Sequence, residues 1–388
     1  MNAISIDPSL VEEVRKFGAF DVGACLNCGS CSVECALARG STTFPRRTMR
    51  LALFGMAASL KASLEPWLCH YCGECSAACP RQAEPAEAMM TLRKYLISRY
   101  DLTGLASRLN TSAAWRVGAN LLAAALVLIL VLFYHFSVIG LAPDAFVSAD
   151  MVGAVGLQHA VGPIGYAFTI AVFAIPALLL AFGAVSMTRS ALAESEIRVP
   201  FTAYLAALPA LFTQGLAQNR IPGGKDRLGW LRHFALFSGF VIMSVLTLFF
   251  LRWFQTDAIL PLWHPQRWLG YLATLGLLYG SLAALIGRAA RSEEIHRHSD
   301  LGDWILPTLI LLVALTGIAI HILRYVGLQV PSHFAFFAHM VFVTPMLLVE
   351  VPFGKLSHLV YRPLALYLQA AREKALAAMP AAEVANHA

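Results

Sequence analysis

Long apolar runs fill the chain from residue 117 onward, whereas the first hundred residues mix charged and apolar positions with glycine and proline between them. Each of six runs has roughly the 17–25 residues that cross the hydrocarbon of a bilayer as a helix. The runs are 117–138, 163–187, 234–251, 268–286, 304–323 and 334–351. The pattern predicts a polar N-terminal domain followed by six transmembrane helices.

A seventh apolar stretch, 201–216, is interrupted by polar residues and by Pro209. We expect it to lie at the membrane interface, because a seventh span would invert every later segment. With six spans, most basic residues of the membrane half lie on the same side as the N-terminus, in 188–232, 287–303 and the tail beyond 351. Since basic loops stay in the cytoplasm, both termini are expected to be cytoplasmic, at the inner membrane.

The composition agrees with this division. Of 388 residues, 58% are hydrophobic and 13% are charged, and the mean hydropathy is +0.64; soluble proteins carry roughly 25% charged residues. The net charge of +6 follows from the membrane orientation and does not call for a nucleic-acid partner. Residues 1–18 lack the apolar core of a secretory signal, so we expect the N-terminal domain to stay in the cytoplasm.

All eight cysteines lie between Cys25 and Cys79. They form two runs of the spacing Cys-x2-Cys-x2-Cys-x3-Cys, which is typical of ferredoxins with two [4Fe–4S] clusters. In such proteins the fourth cysteine of a run ligates the other cluster. The prediction is that Cys25, Cys28, Cys31 and Cys79 hold one cluster, and that Cys69, Cys72, Cys75 and Cys35 hold the second.

Zinc sites and disulfides are the alternatives for these cysteines. Zinc is often bound by two separated Cys-x2-Cys pairs, which two successive four-cysteine runs match poorly. Disulfides are rare in the cytosol, where thiols are kept reduced. His70, beside Cys69, is interpreted as tuning or covering its cluster rather than ligating it.

Histidines in the apolar half are candidate ligands of haem b, because an ionisable residue in a membrane span is functional by default and imidazole binds haem iron. His233 starts the third predicted span and His358 follows the sixth. These two spans are antiparallel, so both imidazoles are expected near the cytoplasmic face. His321 and His339 are expected to form an outer pair.

His159 or His135 could take the place of His321 in the outer pair. For each histidine, a packing or interfacial role is the alternative. No acid–base pair in the spans marks a quinone site; Glu350 is either a candidate for that site or a member of a structural ion pair.

The sequence therefore predicts an all-α chain with a helical two-cluster ferredoxin domain and a six-helix transmembrane haem b bundle. Between the cysteine runs we expect a helical hairpin, and after them a helix over 85–95 with Pro85 near its start. The predicted boundaries are 1–100 for the ferredoxin domain, 101–116 for a linker or interfacial helix, 117–360 for the transmembrane domain and 361–388 for a cytoplasmic tail.

The segments CLNCGSCSVEC, FPRRTMRLALFG and WLCHYCGECSAACPRQAEPAEAMMTLRKY resemble the C subunit of heterodisulfide reductases. Joined to a membrane domain, they are similar in particular to the C subunits of quinone-interacting membrane-bound oxidoreductase complexes. The membrane half more weakly resembles the gamma subunit of respiratory nitrate reductase, in which two spans provide four haem histidines. His233, His339 and His358 match three of those places, and the fourth falls near Met243, where this chain departs from the family.

The resemblance implies an electron-transfer protein that connects a quinone, haem b and two [4Fe–4S] clusters with cytoplasmic flavoproteins like the A subunit of heterodisulfide reductase. It also implies adenylylsulfate reductase as a more distant partner, in sulfur metabolism. The alternatives are a subunit of another quinone-linked, heterodisulfide reductase-like complex and a non-redox membrane anchor or sensor with a metal-binding head. The sequence has no nucleophilic triad or phosphate-binding loop, so no independent hydrolase or ATPase is predicted.

Overall fold

The structure, a computed structural model, describes residues 5–38, 43–138, 163–195, 197–216, 218, 227–254, 256 and 258–379. Within these ranges every regular element is a helix and there is no strand, which confirms the all-α prediction. The α-helices are α1 (Leu10–Arg15), α2 (Ser30–Glu34), α3 (Arg46–Leu53), α4 (Ala57–Ala62), α5 (Glu65–Leu68), α6 (Glu74–Ala77), α7 (Pro85–Tyr100), α8 (Leu105–Thr111), α9 (Ala113–Phe133), α10 (Pro163–Ala193), α11 (Phe201–Ala207), α12 (Arg227–Phe249), α13 (Leu251–Phe254), α14 (Pro265–Ala290), α15 (Leu301–Tyr325), α16 (Gln329–Pro345), α17 (Val351–Phe353) and α18 (His358–Ala377).

Six helical segments of the described chain are long and apolar enough to cross a membrane, as predicted. They are Ala113–Ser137, Gly165–Ala193, Arg227–Phe249, Pro265–Ala290, Leu301–Tyr325 and Gln329–Phe353. The stretch 201–216 forms only the short helix α11 and a π-helical turn, Leu211–Leu216. It packs on α18, where the Tyr367 hydroxyl donates to the Tyr204 carbonyl at 3.2 Å.

The first span begins before its apolar run because a buried ion pair allows a charged residue inside it. Arg116 is 6% exposed and Glu350 is fully buried. The Arg116 guanidinium donates two hydrogen bonds to the Glu350 carboxylate, one of them at 3.1 Å, and the Asn120 amide donates a third at 3.2 Å. Of the two roles considered for Glu350, the structure therefore shows the structural ion pair. It ends a π-helical turn, Met346–Glu350, that links α16 to α17.

Glycines allow α12 and α14 to pack closely. A Cβ atom on Gly239 would lie 2.6 Å from the Ala273 carbonyl oxygen, and one on Gly276 would overlap the Ala235 carbonyl. Gly280 follows Gly276 by four residues, so both lie on one face of α14. Small residues at this spacing let membrane helices approach at the backbone.

The N-terminal domain shares an apolar core with the membrane half. The predicted hairpin between the cysteine runs is α3 and α4, and the helix predicted over 85–95 is α7, which continues to Tyr100. Buried residues of α7 and of the cysteine domain belong to the same cluster as buried residues of α10 and α18, among them Leu180 and Tyr361. The domain is thus packed directly against membrane-half helices.

Candidate functional site

The two cysteine loops have the same backbone shape. Asn27 and Tyr71, each two residues after the first cysteine of its run, have φ values of 56° and 57°. Gly29 and Gly73, two residues further on, have φ values of 93° and 82° and begin α2 and α6. Left-handed backbone of this kind is tolerated best by glycine. Each loop therefore wraps in the same way and then enters a short helix.

Backbone N–H groups point at cysteine sulfurs in both loops. Asn27 N–H donates to Cys25 Sγ at 3.4 Å, Tyr71 N–H to Cys69 Sγ at 3.3 Å and Ala83 N–H to Cys79 Sγ at 3.4 Å. Hydrogen bonds of this kind stabilise charge on the sulfur ligands of metal clusters and tune their reduction potentials.

The fourth cysteine of each run interacts electrostatically with cysteines of the other run. Burial raises the pKa of the Cys31 thiol, and the nearby charges of Cys25, Cys28 and Cys79 raise it further. Burial likewise raises the pKa of Cys35, with added effects of Cys69 and Cys72. Helices α2 and α6 pack together, and Cys31 and Cys75 are buried in one small cluster with Ala86. This crossed arrangement fits the ligand sets predicted for two clusters.

The described cysteines form neither a disulfide nor a cluster around a single point. All eight thiols are free, so the structure contains no disulfide among them. In the described part of the chain, no three His, Cys, Asp or Glu side chains converge closely enough to hold one metal ion. The ligands of a four-iron cluster are spread around several irons and need not converge on one point, so the cysteine spacing remains the basis of the iron–sulfur interpretation.

The structure brings the two histidines of the predicted inner pair together. The ring centroids of His233 and His358 are 6.1 Å apart. Two metal–nitrogen bonds of about 2 Å, with half of each ring added, give nearly the same separation. His358 Nδ1 bonds the Lys355 carbonyl, and His233 Nδ1 bonds Gln218 Oε1 at 2.9 Å. Partners on Nδ1 orient imidazoles so that Nε2 is left to bind a metal, so these residues fit a shared haem iron.

His339 and His321 both line one cavity of about 260 Å³ among α10, α12, α14, α15 and α16. His339 Nδ1 bonds Thr316 Oγ1 at 3.0 Å and the Val313 carbonyl at 3.1 Å. His321 lies five residues beyond Thr316 on α15, roughly 7.5 Å at 1.5 Å per residue. The two histidines thus line the same cavity, with His321 further along α15 than the Thr316 partner of His339.

His321 has a partner of its own, because its Nε2 is 2.9 Å from the Tyr271 hydroxyl and its ring lies 4.4 Å from that of Tyr325. The alternative His135 lies outside this cavity, with its ring centroid 5.5 Å from that of His333. His159 falls outside the described residues. Met243 does line the cavity.

Two arginines beside the second cysteine loop were not identified from the sequence. Arg93 donates to the Cys69 carbonyl at 2.5 Å, and Arg362 donates to the same oxygen at 3.2 Å. A second nitrogen of Arg362 lies 2.6 Å from His70 Nδ1. The only signal in the sequence was the position of Arg362, four residues after His358 and hence on the same helix face.

Polar contacts also attach the second loop and α7 to the membrane half. The Tyr71 hydroxyl contacts the Glu87 carboxylate and donates to the Ile295 carbonyl at 3.1 Å. Lys94 of α7 forms an ion pair with Asp300, whose side chain accepts from Asp303 N–H at the start of α15.

Comparison with known proteins supports the iron–sulfur half of this site. A family model described as a 4Fe-4S dicluster domain matches residues 24–84, which include all eight cysteines. The chain is 28% identical over 102 residues to a protein of Archaeoglobus profundus described as like the C subunit of heterodisulfide reductase. The match covers 26% of this chain and 54% of that protein.

Two further relatives extend the comparison. The chain is 28% identical over 87 residues to the C subunit of the ferredoxin:CoB-CoM heterodisulfide reductase of Methanosarcina acetivorans, 22% of this chain and 35% of that protein. It is also 28% identical over 121 residues to an iron-sulfur C subunit of the CoB–CoM heterodisulfide reductase of Methanocaldococcus jannaschii, 29% of this chain and 64% of that protein. The chain thus spans between about a third and two thirds of the curated relatives it matches, and no solved structure matches it.

Proposed function

We propose that this chain is the membrane subunit of a redox complex, in which electrons pass between the quinone pool, haem b and two [4Fe–4S] clusters, to or from cytoplasmic flavoprotein subunits. The iron–sulfur half rests on the dicluster match and on the similarity to subunits of heterodisulfide reductases. The single observation that carries the connection to the membrane is the His233–His358 pair, because His358 lies on α18, whose Arg362 contacts the second cysteine loop.

When bound, the clusters and the haem supply one-electron chemistry. The protein holds and orients them. The eight cysteines provide thiolates, and backbone N–H groups at Asn27, Tyr71 and Ala83 stabilise charge on the sulfurs. Gln218 and the Lys355 carbonyl fix the orientation of the two inner imidazoles.

The cavity at His339 and His321 is proposed as the second membrane site. If both histidines are ligands, as the sequence predicts, they hold a second haem there. The hydrogen bond between Tyr271 and His321 favours a quinone there instead, because oxidation of a quinol requires groups that accept its protons. Substituting His321 separates these uses: a ligand role predicts loss of a haem, whereas a quinone role predicts full haem content with slower quinol oxidation.

We further propose that the ferredoxin domain and both termini are cytoplasmic, as the basic loops suggest. From the resemblance we also propose partners like the A subunit of heterodisulfide reductase, with adenylylsulfate reductase beyond them. A different heterodisulfide reductase-like complex would use the same arrangement of domains in this chain. Identification of the proteins that co-purify with the chain distinguishes the two.

The test is anaerobic purification of the complex, followed by iron, labile sulfide and haem analysis and a redox titration of its spectrum. We expect iron–sulfur absorbance and the bands of a reduced b-type haem. In His358→Ala and His233→Ala the inner haem should be lost, while in the matched control His298→Ala, an exposed histidine, haem content should be unchanged. A spectrum with neither haem bands nor iron–sulfur absorbance would leave a non-redox anchor or sensor with a metal-binding head.

A further inference from the structure

The two cysteine loops, alike in backbone, have different neighbours. At the position after the first cysteine, the first loop has Leu26, which is 68% exposed. The second loop has His70 there, in contact with Arg362 of α18. One residue further on, Asn27 accepts from Arg46 of its own domain at 2.7 Å, whereas Tyr71 donates to Ile295 of the membrane half.

Arg362 connects the second loop to the inner histidine pair. It follows His358 by four residues on α18, so both side chains lie on one face, with Cα atoms roughly 6 Å apart along the axis. His358 faces His233 across the bundle, and Arg362 donates to the Cys69 carbonyl. One short segment of helix therefore contacts both sites.

Aromatic packing closes the space around this connection. Trp67, two residues before Cys69, is 1% exposed, and its ring centroid lies 4.9 Å from that of Tyr361. The Tyr361 ring in turn lies 5.5 Å from that of Tyr100. These buried rings pack the segment before Cys69 against α18 and keep water out of this contact.

The first loop has no comparable contact with the membrane half among the described residues that surround it. Val33, within α2, is 85% exposed, and Leu26 and Cys28 are exposed beside it. Cys72 of the second loop is exposed as well, so exposure of a cysteine alone does not distinguish the loops. They are distinguished by the exposed apolar residues of the first loop and by the contact of the second loop with Arg362 of the membrane half.

On the basis of the proposed function, we infer that the cluster held by Cys69, Cys72, Cys75 and Cys35 is the one that exchanges electrons with the inner haem, and that Arg362 raises its reduction potential. The cluster at Cys25 is then the one nearer the cytoplasmic partner. The step is the transfer of one electron between haem iron and cluster, in which no bond is made or broken and no proton is required. Arg362 is a positioning residue that holds the Cys69–His70 segment and places a fixed positive charge beside it.

The effect of the Arg362 charge on the reduction potential is tested by redox titration of the whole complex. The two cluster signals are followed in electron paramagnetic resonance spectra. The signals are assigned with Cys28→Ser and Cys72→Ser, which alter one exposed ligand in each run. In Arg362→Gln the midpoint potential of the second cluster should become more negative, because the reduced cluster loses a stabilising positive charge. Arg362→Lys should restore most of the potential.

The matched control is Arg46→Gln at the first loop, which should lower the potential of the first cluster and leave the second unchanged. If Arg362→Gln shifts neither potential, or shifts that of the first cluster, the assigned role of Arg362 is wrong.

The order of the cofactors is tested separately through spin relaxation. Oxidised haem iron is paramagnetic and accelerates the relaxation of a nearby reduced cluster. Relaxation of the second cluster should therefore slow in His358→Ala, and that of the first should change less. A larger change at the first cluster would reverse the order. Absence of haem from the unaltered complex would instead contradict the proposed function, so the two failures are distinguishable.

Discussion

The first and second cysteine loops have the same local structure in two different environments. Both have a left-handed residue, a left-handed glycine and a short helix at corresponding positions. The first presents Leu26 to the outside, whereas the second lies under Arg93 and Arg362. The comparison teaches that ligand spacing determines how a cluster is held, while the neighbouring helices determine what that cluster can exchange electrons with.

Substitution of the fourth cysteine of a run should have the largest effect, because it removes a ligand from one of the two clusters. Cys35 belongs by sequence to the first loop, but we expect Cys35→Ala to impair the cluster of the second, because the charges of Cys69 and Cys72 act on the Cys35 thiol. Iron should fall from about eight to about four atoms per chain if that cluster is lost. Iron analysis and the surviving paramagnetic signal are the measurements.

Cys79→Ala is the reciprocal variant and should impair the cluster of the first loop. Loss of the first-loop signal in Cys35→Ala would show instead that each run holds its own cluster.

Removal of the aromatic contact at the second loop should have the next largest effect. Tyr361 is 2% exposed, and truncation of a large buried aromatic side chain to alanine costs about 3 kcal/mol or more. We expect Tyr361→Ala to lower the thermal midpoint of the detergent-solubilised protein and to make the second cluster more sensitive to oxygen than the first. Tyr361→Phe keeps the ring and is the control; equal bleaching of both clusters in Tyr361→Ala would contradict a local role.

The two loop glycines should respond alike, because both require left-handed backbone. Gly29→Ala and Gly73→Ala should each destabilise the protein by about 1 kcal/mol, since alanine is strained at positive φ. Gly118 of α9, at which an added Cβ meets nothing within 4 Å, is the control and should tolerate alanine without loss. Thermal unfolding of the three variants checks this, and a large cost at only one loop would mean that the backbones are not equivalent.

The smallest expected effect is on the pH dependence of folding stability, through Glu87, whose carboxylate contacts the Tyr71 hydroxyl. Burial raises the pKa of Glu87 above its usual 4.5, so the folded state binds its proton more tightly than the unfolded state does. This contribution to stability is complete below pH 4.5 and is lost as pH rises through the folded pKa. Glu87→Gln, which cannot ionise, should therefore unfold at a higher temperature than the unaltered protein at about pH 8, and the difference should shrink as the pH falls below the folded pKa. A difference that does not vary with pH would show that Glu87 does not titrate in this range.

The sequence predicted most of the architecture, and its errors at helix boundaries have physical causes. The first span was predicted to begin at about 117, where the apolar run starts, whereas α9 begins at Ala113 and includes Arg116. The charge of Arg116 is accommodated by Glu350, 234 residues away in the sequence. A rule that scores one segment at a time cannot recognise such a pair. The predicted ligand sets of the clusters and the four haem histidines stay predictions, which the variants above can test.

The sequence by itself determined the two cysteine runs, the six apolar spans and the all-helical fold, because ligand spacing, apolar length and helical periodicity are properties of contiguous residues. Only the tertiary structure decided that Arg116 pairs with Glu350, that Arg362 contacts the Cys69 loop rather than the Cys25 loop, and that His321 is paired with Tyr271. The physical reason is that apolar helix faces can pack against many neighbours, and the local pattern does not specify which of them lies beside a given residue.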